Sequence, residues 1–76
     1  MNAKYNSLTV QKAIDILTLF KNHSKLSFTD IQGLLGYNKS TVSRLLKTLE
    51  YNRFLHSDEH GRYSVGLELL MISSVN

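Results

Sequence analysis

Gly36-Tyr-Asn-Lys-Ser-Thr-Val-Ser-Arg-Leu-Leu-Lys-Thr-Leu-Glu-Tyr51 is the stretch on which the fold turns. Val42, Leu45, Leu46 and Leu49 form one apolar stripe at helical spacing, and Ser40, Ser43, Arg44, Lys47 and Tyr51 lie on the opposite face. This pattern predicts a helix over about residues 39–52, with Asn38 suited to cap its N-terminus. Gly36 is suited to end a preceding helix as a left-handed cap. Two helices joined only by Gly36-Tyr37-Asn38 meet at a steep angle, so that one can cross a duplex backbone while the other lies in the major groove.

Upstream, Ser27-Phe-Thr-Asp30 has the form of a capping box that opens a short second helix, with Phe28, Ile31, Leu34 and Leu35 expected inward. The segment Asn22-His-Ser-Lys25 breaks the helical pattern. Before it, Val10, Ala13, Ile14, Leu17 and Phe20 follow the spacing of an amphipathic first helix with Ser7 as N-cap. Downstream of Asn52 the period becomes extended. Arg53-Phe-Leu-His56 and Arg62-Tyr-Ser-Val65 flank the polar turn Ser57-Asp-Glu-His-Gly61, which predicts a β-hairpin. Gly66 begins a last helical segment from Leu67, apolar on more than one side, with neither a capping glycine nor a basic last turn before Val75-Asn76; it is expected to continue past residue 76.

The fold class expected is therefore mainly α with a small β-hairpin: a winged helix-turn-helix of three helices and a two-stranded wing over residues 1–66, followed at 67–76 by the start of a linker and dimerisation helix.

Composition narrows the function. A chain of 76 residues is one domain, burying roughly 60% of its unfolded surface, with room for one core but not for a deep substrate cavity as well. With 42% apolar and 20% charged residues it has the make-up of a folded domain rather than a disordered segment. The absence of cysteine removes disulfides and thiolate metal sites. The longest apolar run, Leu69 to Ile72, falls far short of the ~20 residues that cross a bilayer, and the first residues lack the apolar stretch of a signal peptide. The chain is thus expected to be cytoplasmic, not an enzyme, without cofactor or membrane partner.

The net charge of +3 is concentrated. Lys39, Arg44, Lys47 and Arg53 stand against Glu50 alone between residues 39 and 55, while five basic and five acidic residues balance elsewhere. Such an excess on one segment suits a partner with regular negative charge. Ser40, Thr41 and Ser43 supply short hydroxyls at the helix N-terminus, and Arg44 has the planar fork that pairs with guanine in a groove about 12 Å wide. The role assignment expected is Lys39, Lys47 and the second helix's N-terminus on phosphates, Arg44 with Ser40, Thr41 and Ser43 on base edges, and a wing contact from Arg62, with His60 beside it.

Other functions are compatible with parts of the chain. His56 and His60 with Asp58 and Glu59 between them suggest a metal site, but a polar turn offers little of the convergence that zinc requires. A winged helix can bind protein or RNA instead of DNA, yet apart from Tyr51 the exposed face of the third helix lacks apolar residues. Dimerisation through the apolar first and last helices is compatible with DNA binding, because a two-fold pair places two recognition helices about 34 Å apart. Arg62 has a plainer role available in pairing with Asp58 or Glu59, and Ser40 or Thr41 in capping. Tyr37, Tyr51 and Tyr63 are expected to be packing residues.

Asn6-Ser-Leu through Leu17, Leu26-Ser-Phe-Thr-Asp-Ile31, the string from Gly36 to Glu50 and Gly61-Arg-Tyr-Ser-Val-Gly66 together resemble the IclR family of bacterial transcriptional regulators across nearly the whole chain. The resemblance implies a dimeric DNA-binding domain that reads an imperfect palindromic operator. It also implies a linker helix beginning near Leu67 and, beyond these residues, a larger C-terminal domain binding a small-molecule effector. Carried over by residue, the groove-facing positions are Ser40, Thr41, Ser43, Arg44 and Lys47, with Arg62 at the wing. Two residues depart from the pattern: Gln32 stands where such units prefer a small residue, and Arg53 where the family usually has glycine. Asn52 is expected to take the left-handed conformation instead.

Overall fold

The computed structural model describes residues 7–74; Asn6, at the start of the resemblance, and Val75-Asn76, at the end of the last helix, lie outside the described residues. The elements in chain order are α1 (Leu8–Thr18), a 3-10 turn (Leu19–Lys21), β1 (Leu26–Ser27), α2 (Phe28–Leu35), α3 (Lys39–Tyr51), β2 (Leu55–Ser57), β3 (Arg62–Val65) and α4 (Leu67–Ser73).

The helix starts follow the local chemistry of the sequence. The Ser7 side chain accepts from the Val10 N–H at 3.4 Å. The capping box is complete: Ser27 Oγ accepts from Asp30 N and Asp30 Oδ2 from Ser27 N, both at 3.0 Å. These bonds favour the ionised Asp30 carboxylate and lower its pKa. Asn38 Oδ1 accepts from Thr41 N at 2.8 Å, and Gly36 closes α2 at φ 73°.

The end of α3 differs from expectation. Asn52 remains at φ −86°, and the left-handed residue is Arg53, at φ 62°. Arg53 N donates to Glu50 O at 3.0 Å and Phe54 N to Leu49 O at 2.8 Å, the paired bonds of a Schellman motif. The motif requires its left-handed residue at this position in the chain, and two bonds hold Arg53 there despite its Cβ.

The sheet is larger than a hairpin. β1 joins it as a third strand in the order β1-β3-β2, all antiparallel, with Leu26 opposite Tyr63 and Leu55 opposite Val65. A two-residue strand carries no period of its own, so the sequence shows only the capping serine inside it. β1 ties the N-terminus of α2 to the wing, and Lys25 reaches Asp58 across the same edge at 3.3 Å.

Ile16, Leu26, Ile31, Val42, Leu45, Leu46 and Leu55 form one buried cluster drawn from α1, β1, α2, α3 and β2. Three side-chain placements differ from expectation, in α1, in α2 and at Tyr51. Ala13 and Leu17 of α1, and Phe20 in the turn after it, pack against the core as expected, but Ile16 is the wholly buried residue while Val10 and Ile14 are about half exposed, so the inward face is rotated towards Ile16 from the one read in the spacing. Leu34 is 55% exposed although α2's other inward positions pack. Tyr51 is 86% exposed, whereas Tyr37 and Tyr63 do pack against the core. On α1, faces that include Ile14 or Ile16 both satisfy helical spacing, and only the neighbouring elements select between them.

Gly66 is required by contact rather than by φ. It is buried, and a Cβ there would lie 2.3 Å from the Arg53 carbonyl oxygen. Gly66 N donates to Phe54 O and Glu68 N to Arg53 O, so the entry to α4 is bonded directly to the end of α3.

Candidate nucleic-acid interface

The stripe Val42, Leu45, Leu46 pins one side of α3 in the core and forces the other outward. At about 100° per residue, Ser40, Arg44 and Tyr51 lie along the middle of the exposed ridge, with Ser43 and Lys47 on one shoulder and Thr41 and Thr48 on the other. Ser40, Arg44 and Lys47 are exposed, and Ser43 and Thr41 half-buried.

On the first shoulder, Lys39, Ser40, Ser43, Arg44 and Lys47 line one open cleft together with Phe28 of α2. Five of the expected DNA-facing residues are thus brought together at the α2–α3 crossing. Thr41 faces the other shoulder, in a cleft shared with α1. Arg44 borders both. Arg62 stands apart from both clefts, on the wing, with its Nε 3.9 Å from Asp58 Oδ2. That separation makes the pairing with Asp58 a loose one between exposed groups.

Among the described residues, no carboxylate lies within ion-pair distance of Lys39, Arg44 or Lys47. Nor do the hydroxyls of Ser40, Thr41 and Ser43 have hydrogen-bond partners there; the capping role belongs to Asn38 instead. The face therefore carries unneutralised charge and unused donors and acceptors. This arrangement is suited to phosphates and base edges, which supply negative charge and complementary hydrogen-bonding groups.

The turn that presents α3 is held by groups whose role the sequence left open. Gln32 is not wedged between helices: its Nε2 donates to the Tyr37 carbonyl at 2.9 Å and closes the turn. The Tyr37 hydroxyl donates to Asp15 Oδ2 at 2.5 Å, and Gln11 Nε2 donates to Asp15 Oδ1 at 3.0 Å. The bond from Tyr37, with help from Gln11, lowers the Asp15 pKa and in return raises that of the phenol. The α2–α3 turn is thereby tied to α1.

In the wing turn, Asp58 Oδ1 accepts from the backbone N–H of His60 and of Arg62 at 2.9 and 3.0 Å. The carboxylate shapes the turn. Among the described residues no three His, Cys, Asp or Glu side chains come together where a metal ion could be held. Likewise, no helix among them is long and apolar enough to cross a membrane.

Three helices, a small antiparallel sheet and a cationic ridge on the third helix define the winged helix-turn-helix class, the DNA-binding module of transcriptional regulators. Residues 9–59 match the IclR helix-turn-helix domain, and the chain belongs to that family. It is 39% identical over 64 residues to the HTH-type transcriptional regulator XynR of Escherichia coli (strain K12), a match covering 82% of this chain and 25% of that protein. It is 37% identical over 62 residues to the HTH-type transcriptional regulator KipR of Bacillus subtilis (strain 168), with the same coverage of 82% and 25%. A solved structure of an IclR transcriptional regulator from Alicyclobacillus acidocaldarius superposes with a TM-score of 0.86 at 34% identity, over 92% of this chain and 29% of that one. The chain thus spans about a quarter of the length of the curated relatives it matches.

Proposed function

We propose that this chain is the operator-reading module of an effector-controlled bacterial regulator, acting in the cytoplasm as a homodimer and without catalytic activity of its own. The observation that carries the reading is the exposed ridge of α3, where Ser40, Ser43, Arg44 and Lys47 sit on one face with no carboxylate paired to the cations. Lys39 and Lys47 set the register on phosphates. Arg44, with Ser40, Thr41 and Ser43, reads base edges in the major groove. Arg62 exchanges its loose contact with Asp58, of a kind worth about 0–1 kcal/mol, for a contact near the wing. Residues from Leu67 begin the linker helix, and the effector belongs to a domain joined beyond it.

Dimerisation is supported by apolar side chains on the first and last helices that are exposed among the described residues: Leu8, Val10 and Ile14 on α1, and Leu67, Leu70, Met71 and Ile72 on α4.

Fluorescence anisotropy with mixed-sequence duplex DNA and with single-stranded RNA, across a range of salt concentrations, tests the reading. Duplex binding that falls steeply with salt is the expected result. Arg44→Ala is expected to cost about 1–3 kcal/mol and to relax preference at one base position, whereas Lys47→Ala weakens all sequences alike. Uniform loss for Arg44→Ala would remove its base-reading role. A folded chain that ignores duplex DNA at low salt would assign the α3 face to a protein or RNA partner.

A further inference from the structure

The shoulder of α3 opposite Lys47 carries a second cleft, of about 320 Å³, formed by Thr9 and Lys12 of α1 with Thr41, Arg44, Leu45 and Thr48 of α3. Its rim is cationic and hydroxyl-bearing and contains no carboxylate. The Lys12 ammonium lies 5.2 Å from the centroid of the Tyr37 ring, so its position is set by a neutral aromatic face rather than by an acid. The one acidic side chain on that side of α1 tied to Tyr37, Asp15, already accepts from Tyr37 and Gln11, and among the described residues no ion pair involves Lys12.

A helix lying in a major groove is bordered by two sugar-phosphate strands, and on this molecule α3 is bordered by two cationic clefts with Arg44 on the ridge between them. We infer that the α1–α3 cleft holds a backbone phosphate of the DNA strand opposite the one met by Lys39 and Lys47, with Lys12 as the cation and Thr9 as a hydroxyl donor. Helix α1 is then a DNA-contacting element as well as a packing one, and the tether from Tyr37 to Asp15 fixes its distance from the recognition helix. The inference rests on the DNA reading given above and adds to it a second phosphate track.

The test is the slope of log affinity against log salt for mixed-sequence duplex DNA over roughly 50 to 300 mM salt, a slope that scales with the number of phosphates neutralised. Lys12→Gln is expected to weaken binding to all sequences alike and to flatten the slope by about 1. Lys12→Arg keeps the slope, and so does Lys21→Gln, a charge removed from the 3-10 turn and from neither cleft. Thr9→Glu, at an exposed position, puts a carboxylate into the cleft one turn from Lys12 and is expected to weaken binding. Tyr37→Phe, which keeps the ring beside Lys12 but loses the bond to Asp15 that positions α1, is expected to weaken binding to all sequences while keeping the wild-type slope, because no cation is removed. A wild-type slope in a folded Lys12→Gln variant, together with unchanged binding by Thr9→Glu, would overturn this assignment while leaving the DNA reading intact. Failure of the wild-type chain to bind duplex at all would overturn both.

Discussion

At the scale of single residues, Arg53 is where the chain departs from ease. A side chain with a Cβ in the left-handed region costs about 1–2 kcal/mol relative to right-handed backbone, and glycine avoids most of that while losing more entropy on folding. Two backbone bonds of the α3 terminus depend on this one φ of 62°. Arg53→Gly is accordingly expected to stabilise the chain by about 0.5–1 kcal/mol, visible as a rise of several degrees in Tm by circular dichroism. A fall in Tm would mean that the arginine side chain makes a stabilising contact that outweighs its backbone strain. Gly66, thirteen residues later, has ordinary φ and is required for a different reason: the Arg53 carbonyl occupies the space that a Cβ would take.

At the scale of an element, the wing depends on Asp58. Its carboxylate is held down to about 2, against an ordinary 3.8, chiefly by the Arg62 N–H and further by the His60 N–H and by Lys25, which together outweigh its partial desolvation. Because the folded carboxyl titrates below the unfolded one, its stabilisation is complete above the unfolded pKa and is lost as pH falls from about 4 towards 2. Tm measured against pH is expected to drop through that window, and Asp58→Asn to flatten the drop. An equal drop in the variant would place the acid sensitivity elsewhere, with Asp15 and Asp30, whose pKa values are also lowered, as the next carboxylates to replace. The same carboxylate connects the turn to Lys25 beside β1, so loosening it also loosens the strand that leads into α2.

At the scale of the whole molecule, a single core cluster drawn from five elements leaves the apolar faces of α1 and α4 uncovered within residues 7–74. Burying such faces against a second copy would bring two recognition helices into the two-fold arrangement that a palindrome requires. Sedimentation equilibrium is expected to show a monomer–dimer equilibrium that Ile72→Lys or Val10→Lys shifts towards monomer. A wild-type chain that stays monomeric at every concentration would mean that these faces are covered by segments outside those residues.

Capping chemistry and helical periodicity were legible from the chain alone. Ser7, Ser27, Asp30, Gly36 and Asn38 act within three or four residues of themselves, so their hydrogen bonds follow from local sequence. The composition of the α3 face followed in the same way, once its apolar stripe was assigned to the core. The tertiary structure alone decided which face of α1 is buried, because Ile16 and Ile14 differ only in what packs against them. It also decided that Leu26-Ser27 forms a strand, since two residues become one only beside Tyr63 and Arg62, and that Arg53 rather than Asn52 turns left-handed, since the bonds to Glu50 and Leu49 set the position. The α1–α3 cleft belongs to the same group: Thr9 and Lys12 are about thirty residues from Thr41 and Arg44 in the chain, and no local period could bring them together. Short-range hydrogen bonding is written in the order of residues, whereas burial, strand pairing and composite clefts depend on which distant segments share the core.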